Sequence, residues 1–143
     1  MSTYYMNEGA FELLDLGFTD CTAHVLEARH PEHGDVGVLV RRMPFPENVS
    51  LRDLVAGHLA AEKERRAGYG VIEERATEHA GVPAIEMAVR YRHEDKAIYQ
   101  AQAHLALGDT WVQFAVTAEF PAREACDAWL GGILGSLRLR GAL

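Results

Sequence analysis

The sequence predicts an α+β fold, in which one antiparallel β-sheet carries two α-helices. The first observation is that stretches with the character of strands follow one another directly, three before the first helical segment and four after it. The second is that only two stretches have apolar residues at helical spacing. Runs of consecutive strands joined by hairpins are typical of an antiparallel sheet. We expect both helices to pack on one face of this sheet, so that the other face stays open as a groove.

Three strands are predicted before the first helix. The stretch 10–13 is short, whereas 22–28 is a longer strand that ends at the polar turn RHPEHGD. The next stretch, DVGVLVRR, places its three valines at alternate positions and therefore on one face. We expect a loop at MPFPENVS, because its two prolines interrupt any ladder of hydrogen bonds.

The first helix is predicted to begin after Ser50, a good N-cap residue with Asp53 three positions later. Strong helix formers follow, and Gly68 stands where a C-cap is expected. The residues at helical spacing are Leu51, Leu54, Val55, His58 and Leu59.

Four strands and a second helix are predicted in the second half of the chain. The strands cover 69–81, 84–93, 98–107 and 110–119, and turn signals such as GD at 108–109 separate them. Pro121 suits the first turn of the second helix. Its broad apolar stripe consists of Ala122, Ala125, Cys126, Trp129, Leu130, Ile133, Leu134 and Leu137.

Composition limits the class of protein. A chain of 143 residues with 48% hydrophobic and 24% charged residues is typical of one globular domain, here 1–143. The formal net charge of −7 argues against a nucleic-acid partner, because phosphate binding needs a basic surface. Cys21 and Cys126 are expected to be reduced thiols. The first residues resemble no export signal and no stretch reaches the ~18 apolar residues of a membrane span, so we expect a cytoplasmic protein without membrane insertion.

The strand IYQAQAHLAL has one unusual face. One set of alternate side chains is small and apolar, whereas the other contains Gln100, Gln102 and His104, which are neutral hydrogen-bonding groups. If the second faces of the other strands lie in the same plane, this face is partly apolar and suits an interaction site. The residues pooled with it are Ala23, Val25, Gly37, Leu39, Arg41, Ala88, Arg90, Trp111 and Gln113.

Patterns typical of catalysis or metal binding are weak. The sequence contains three serines and no G-x-S-x-G motif. His30, Glu32 and His33 lie in a proline-containing turn, where such residues are usually solvated rather than metal ligands. Cys21 and His24 lie three positions apart, and an odd spacing on a strand would point them to opposite faces. We therefore expect a protein that is not an enzyme, with no catalytic residue, no metal site and no cofactor.

Several stretches resemble the Eag chaperones of bacterial type VI secretion, and the resemblance spans nearly the whole chain. The stretches are YYMNEGAFELLD, TDCTAHVLE, GVLVRR, LRDLVAGHLAAEKERRAGYGV, the strand that carries Gln102, and PAREACDAWLGGILGSL. The resemblance lies in order, spacing and key residues. The wider superfamily includes DcrB-like and PsbP-like domains, so the resemblance implies a PsbP-like fold.

The resemblance also implies a function and a set of groove residues. It implies a homodimer whose concave, partly apolar sheet surface holds the N-terminal transmembrane helices of a toxic effector and shields them before loading onto the secretion spike. By position, the groove residues would be Ala23, Val25, Gly37, Leu39, Arg41, His58 and Gln102. Gln100 joins them through its place beside Gln102 on the neutral polar face.

Other interpretations of the same residues stay open. His58 is either a half-buried, hydrogen-bonded histidine or a residue at the edge of the groove that contacts a ligand. The two glutamines are either ordinary exposed amides or groups that mimic a neighbouring helix by hydrogen bonding to a transmembrane segment. A small-molecule or lipid-binding module that uses the same open face is the alternative function.

Overall fold

The computed structural model describes residues 2–6, 9–13 and 21–139. Within them a short 3-10 turn at Phe120–Ala122 precedes the second helix. The strands and helices are β1 (Ser2–Met6), β2 (Gly9–Leu13), β3 (Ala23–His30), β4 (Gly34–Pro44), α1 (Leu51–Arg65), β5 (Gly70–His79), β6 (Val82–His93), β7 (Lys96–Leu107), β8 (Thr110–Glu119) and α2 (Arg123–Ser136).

Six of the strands form one antiparallel sheet in the order β3-β4-β8-β7-β6-β5, and β1 pairs with β2 in a separate hairpin. The predicted α+β class with an antiparallel sheet is therefore confirmed. The strand β1 was not predicted, whereas β2 covers the short strand expected at 10–13. Tight turns join β5 to β6 and β6 to β7, where Ala80, Gly81, Glu94 and Asp95 all have positive φ. Two successive residues with positive φ match the right-handed twist of a hairpin.

The two helices lie on opposite faces of the sheet, so the prediction that both pack on one face is wrong. Cys126, Leu130 and Leu134 of α2 are buried against the face that carries Ala101 and Ala103 of β7. On the other face, Val55 of α1 is buried against β6. The physical reason is that the sheet has an apolar area on each face, and each area needs its own cover. Alternate residues of β7 and β8 form the core under α2, whereas Ile85, Met87 and Val89 of β6 form an apolar strip on the opposite face.

The face under α2 is the larger core. Small residues at alternate positions of β7 let α2 approach the sheet closely, and Cys126 is fully buried there as a free thiol. Burial raises the pKa of this thiol to about 11, so the thiolate is disfavoured. The buried residues that the sheet contributes are Ala84, Ala88, Tyr99, Ala101, Ala103, Leu105, Val112, Phe114, Val116 and Ala118.

The opposite face, which we call the α1 face, is only partly covered. The helix packs on β6 and β7, and the buried residues of this side are Ile85, Met87, Val89 and Tyr91 of β6 together with Tyr69, which immediately precedes β5. Towards β3 and β4 the same face is exposed or half-buried. The predicted open groove is therefore restricted to the half of this face that lies beside α1.

Candidate functional site

All the strand residues predicted for the groove share the α1 face. Leu39 of β4 pairs with Val25 of β3 on one side and with Ala115 of β8 on the other, and Ala115 pairs with Gln102 of β7. The next row in one direction contains Ala23, Arg41, Gln113 and His104, and the next in the other contains Gly37, Thr117 and Gln100. Directly paired residues on antiparallel strands point to the same face, so the register places these side chains in one plane.

Two of the residues that the sequence analysis pooled on this face, Ala88 and Arg90, lie on the opposite face. Ala88 pairs with Ala101 and belongs to the core under α2, and Arg90 lies on that same face because it pairs with Tyr99. Their neighbours Met87 and Val89 occupy the α1 face instead. The sequence predicted correctly which residues of β6 share a face, but it assigned the wrong one of the two faces to the groove.

The groove residues on β3 and β4 form an accessible surface, which we call the open half: Ala23, Val25, Gly37, Leu39 and Arg41. Val25 is 65% exposed although it is a large aliphatic residue. Leu39 beside it is half-buried, and Gly37 contributes no side chain. An exposed apolar strip next to polar groups is typical of a surface that binds a partner.

Gln102, in contrast, is 1% exposed and lies beneath the surface. Its amide nitrogen donates to the Oε1 of Gln100, and its Oε1 lies 2.8 Å from Nε2 of His104. The amide is thus already engaged within the protein. The structure places Gln102 on the predicted face but does not offer it for direct contact with a ligand.

The hydrogen bonds of Gln102 belong to a longer chain of bonds, which we call the polar ladder. It runs through the side chains Trp111, His104, Gln102, Gln100 and Thr117. The indole nitrogen of Trp111 lies 2.9 Å from Nδ1 of His104, and Nε2 of Gln100 lies 2.9 Å from Oγ1 of Thr117. The ladder runs along the β7–β8 hairpin, from Trp111 and His104 near its turn to Gln100 and Thr117 further from the turn.

One residue fixes the direction of every bond in the polar ladder. An indole N–H can only donate, so Nδ1 of His104 must accept and its Nε2 must carry the hydrogen. Nε2–H then donates to Oε1 of Gln102. The amide nitrogen of Gln102 in turn donates to Gln100, and that of Gln100 donates to Thr117. Burial, with smaller contributions from His58 and Arg41, lowers the pKa of His104 to about 3, which keeps the ring neutral as this arrangement requires.

His58 of α1 stands where the helix meets the ladder. Its ring makes edge contacts with Trp111 and His104, with centroid separations of 6.0 and 5.6 Å. Its Nε2 lies 3.4 Å from the Nε2 of Gln113. Burial lowers the pKa of His58, and Arg41 contributes in the same direction. His58 is therefore a half-buried residue at the border between the helix and the open half.

Arg41 and Gln113 are neighbours with unused hydrogen-bonding groups. Nε of Arg41 and Oε1 of Gln113 are both buried, and neither has a hydrogen-bond partner among the residues that the structure describes. Both atoms are closed to solvent, so a ligand would reach them only after a rearrangement. The exposed part of Arg41 adds a positive charge to one end of the open half.

A depression of about 870 Å³ adjoins the other end of the open half. Gly37 and Thr117 line it, together with Tyr91 and Ile98 from the sheet and Arg66 at the end of α1. Thr117 was not predicted as a site residue. The parity of β8 could have indicated it, because Thr117 shares a face with Gln113, but its place in a depression depends on the position of α1.

Within the described ranges, no group of three or more His, Cys, Asp or Glu side chains is arranged as a metal site. His30 and His33 lie close together, with ring centroids 4.7 Å apart, and both contact the ring of Trp129. They pack on the side of α2, away from the open half. In the part of the chain that the structure describes, neither helix has the length and apolarity required to cross a bilayer.

Comparisons with known proteins agree with this architecture. A family model described as DcrB matches residues 8–136. No curated protein sequence matches the chain significantly. Among solved structures, the chain is similar to PA94, a Pseudomonas aeruginosa protein of unknown function, with a TM-score of 0.73 and 17% identity over 98% of this chain and 97% of that one.

Two further structures have the same fold at lower similarity. CyanoP, the cyanobacterial PsbP of Synechocystis sp. PCC 6803, has a TM-score of 0.56 and 10% identity over 88% of this chain and 95% of that one. LpqN of Mycobacterium tuberculosis, a protein involved in cell envelope biogenesis, has a TM-score of 0.53 and 13% identity over 75% of this chain and 64% of that one. At these identities the similarity concerns the fold alone, which is PsbP-like as predicted.

Proposed function

The chain belongs to the DcrB family, and from that premise and the geometry of the α1 face we propose that it is a binding protein that shields an apolar segment of another protein. In the form that the sequence resemblance implies, the partner is the N-terminal transmembrane segment of a type VI secretion effector, which the protein holds in the cytoplasm and helps to load onto the spike. The proposal is one of binding without catalysis.

The observation that carries the proposal is the open half of the α1 face. It presents the exposed side chain of Val25 and the half-buried side chain of Leu39 in adjacent, directly paired positions. Burying such apolar surface against a partner is favourable by about 25 cal/mol per Å². A sheet face that α1 leaves uncovered gives an extended ligand or a helix room to lie along it.

The polar ladder beside this surface also suits an apolar partner. The ladder is neutral throughout, since His104 is uncharged and its other members are amides, an indole and a hydroxyl. Ionised groups at this place would lose much of their solvation when an apolar segment covers them. Both ring nitrogens of His104 are engaged in hydrogen bonds, which leaves this ring no free position for proton transfer.

A pair of substitutions on one strand tests the proposal. Leu39→Asp places a charge on the open half, whereas Val38→Asp places the same charge under α2, where Val38 packs against the core. We expect Leu39→Asp to keep a wild-type thermal melt and to lose at least tenfold in affinity for the effector. Val38→Asp should instead lower the melting temperature.

The partner itself is identified by copurification from the native organism with mass spectrometry. The expected partner is a spike-associated effector with apolar segments near its N-terminus, and binding is then measured with that purified effector. Full binding by a folded Leu39→Asp variant would show that the open half is not the binding surface. A melt of Leu39→Asp as low as that of Val38→Asp would show that Leu39 belongs to the core.

A small-molecule or lipid-binding module is the second candidate. The depression of about 870 Å³ favours it, because ligand pockets commonly measure ~300–1,000 Å³. Organic extraction of protein purified from the native organism, followed by mass spectrometry, distinguishes the two. A stoichiometric amphiphile in the extract supports this candidate, whereas an effector and no amphiphile supports the first.

A further inference from the structure

The polar ladder ends at a hydroxyl whose hydrogen is unused. Oγ1 of Thr117 accepts the hydrogen bond from Gln100, so its own O–H must point elsewhere. Among the residues that the structure describes, none accepts a hydrogen bond from this hydroxyl. Thr117 is half-buried and lines the depression. The last group of the ladder, the Thr117 hydroxyl, is therefore an oriented, neutral donor at the edge of the candidate binding surface.

The residue paired with Thr117 on β4 has no side chain to cover it. Gly37 pairs directly with Thr117 on the neighbouring strand. A Cβ added to Gly37 would meet only the main-chain oxygen of Leu26, at 4.0 Å. A ligand can thus bring its main chain close to the Thr117 hydroxyl, which a larger residue at position 37 would hinder.

The charges around the depression argue against an anionic ligand. The arginines and the lysine that line it are already paired with carboxylates, and Glu27 and Glu94 add further negative charge to the lining. Thr117 adds a neutral donor to this lining, because its hydroxyl hydrogen has no acceptor among the described residues. The pairs are Arg29–Asp35 at 3.1 Å, Lys96–Glu119 at 3.2 Å and Arg66–Glu62.

We propose that Thr117 donates a hydrogen bond to an unpaired main-chain carbonyl of the bound apolar segment, so that the site prefers a helix interrupted by proline. This inference rests on the proposed function. Proline removes one backbone donor from a helix and leaves a carbonyl without its intrahelical partner. In apolar surroundings such a carbonyl is unfavourable unless it finds a donor. Trp111 acts as a positioning residue, because its indole fixes the polarity that reaches Thr117.

Two synthetic peptides serve as matched probes. Each has about 20 residues of leucine and alanine, as a transmembrane segment requires, with lysines at both ends and a fluorescent label. One peptide has proline at its centre and the other has alanine. The measured quantity is the ratio of their Kd values by fluorescence anisotropy. We expect wild type to prefer the proline peptide about fivefold, the size of one neutral hydrogen bond.

Substitutions at Thr117 distinguish the effect of the hydroxyl group from that of the branched shape of the side chain. Thr117→Val removes the hydroxyl and keeps the branched side chain, so the preference for the proline peptide should vanish. Thr117→Ser restores the hydroxyl and should restore the preference. Gly37→Ala is an independent variant with an intact ladder, and its added methyl group should weaken binding of the proline peptide.

Trp111→Phe tests the positioning role with a second readout. Without the indole N–H, nothing holds Nδ1 of His104 as an acceptor, and ¹⁵N NMR of that ring should report a mixture of tautomers. The preference for the proline peptide should fall in parallel. A single unchanged tautomer together with an unchanged preference would show that Trp111 does not set the polarity.

The outcomes for the two proposals are distinguishable. If wild type and Thr117→Val bind both peptides with the same ratio, the inference about Thr117 is wrong, while loss of both peptides in Leu39→Asp still supports the proposed function. If wild type binds neither peptide, both proposals are wrong in this form. Circular dichroism melts of every variant confirm that each comparison is made between folded proteins.

Discussion

Three polar side chains, Gln102, His104 and Gln113, are buried on the α1 face. Burying such groups is unfavourable without hydrogen bonds, and the ladder provides them for Gln102 and His104. At the scale of single residues, the neutral face of β7 is thus first a solution to internal packing. Its connection with binding goes through Thr117, at the end of the ladder.

The low pKa of His104 makes stability depend on pH. The ring is neutral in the folded protein down to about pH 3, whereas an unfolded histidine takes up a proton near pH 6.5. Between these values the unfolded state binds more protons, so stability is fully present above pH 6.5 and falls as the pH is lowered towards 3. We expect this residue to contribute a slope of about 1.4 kcal/mol per pH unit in that window.

Urea unfolding of wild type and His104→Gln at pH 8, 6, 5 and 4 measures this slope. At pH 8 the free energies of unfolding of the two proteins differ only through packing and hydrogen bonding, and that difference serves as the reference. The slope between pH 6 and pH 4 should be shallower in His104→Gln. Parallel pH dependences for the two proteins would contradict the burial of a neutral His104.

Gln102→Ala should destabilise the fold. The substitution leaves Nε2–H of His104 and Oε1 of Gln100 without partners, and each unmatched buried group is unfavourable by about 1–3 kcal/mol. Urea unfolding measures the loss, and Ala106→Ser on the same strand is a control for a small polar change nearer the surface. A Gln102→Ala variant of wild-type stability would mean that the ladder contributes nothing to folding.

At the scale of elements, α1 and α2 are held differently. Three residues of α2 are buried in the larger core, whereas Val55 is the one fully buried residue of α1 among those described. The N-terminal cap of α1 therefore matters more to that helix. Ser50 accepts a hydrogen bond from the backbone N–H of Asp53 at 3.1 Å, as the sequence predicted.

Ser50→Ala should destabilise the protein by about 1 kcal/mol, because it removes this cap. Ser136→Ala is a matched control at the end of α2, where the hydroxyl bonds to carbonyls of its own helix. We expect the control to change stability by less than ~0.5 kcal/mol. Denaturant midpoints measure both, and equal losses would show that the cap has no special role.

At the scale of the whole molecule, the sheet ends in two unequal edge strands. β3 is exposed along most of its length, and Val25 and Leu26 extend from its two faces. β5 carries several charged side chains and a register shift between Val71 and Glu73. Charges and bulges are features that protect an edge from pairing with another chain, and β3 has fewer of them.

We predict a homodimer that forms through β3. Light scattering at micromolar concentration should give about 32 kDa, twice the 15.8 kDa of the chain. Leu26→Lys should shift the protein to the monomer, because a charge on this edge opposes pairing. Ile72→Lys on β5 is the control, since Ile72 is similarly exposed, and it should stay dimeric. A monomeric wild type at every concentration would refute the prediction.

Much of the α1 face was predictable because the side chains of a strand alternate. The spacing of Val25 and Ala23, of Leu39, Gly37 and Arg41, and of the two glutamines placed each set on one face of its own strand. Nothing local relates the face of one strand to that of the next, and for β6 the wrong face was chosen. The register of the hairpins decides that relation.

The sequence by itself determined the order of strands and helices from β2 onwards, the antiparallel pairing and the cap at Ser50, because these depend on residues close together in the chain. Only the tertiary structure decided on which side each helix lies, since the sheet has apolar residues on both faces and local patterns do not say which helix covers which face. It also decided the roles of Gln102 and Thr117. The polarity of their hydrogen bonds depends on Trp111, which meets His104 because β7 and β8 pair, and His58 of α1 packs against both rings.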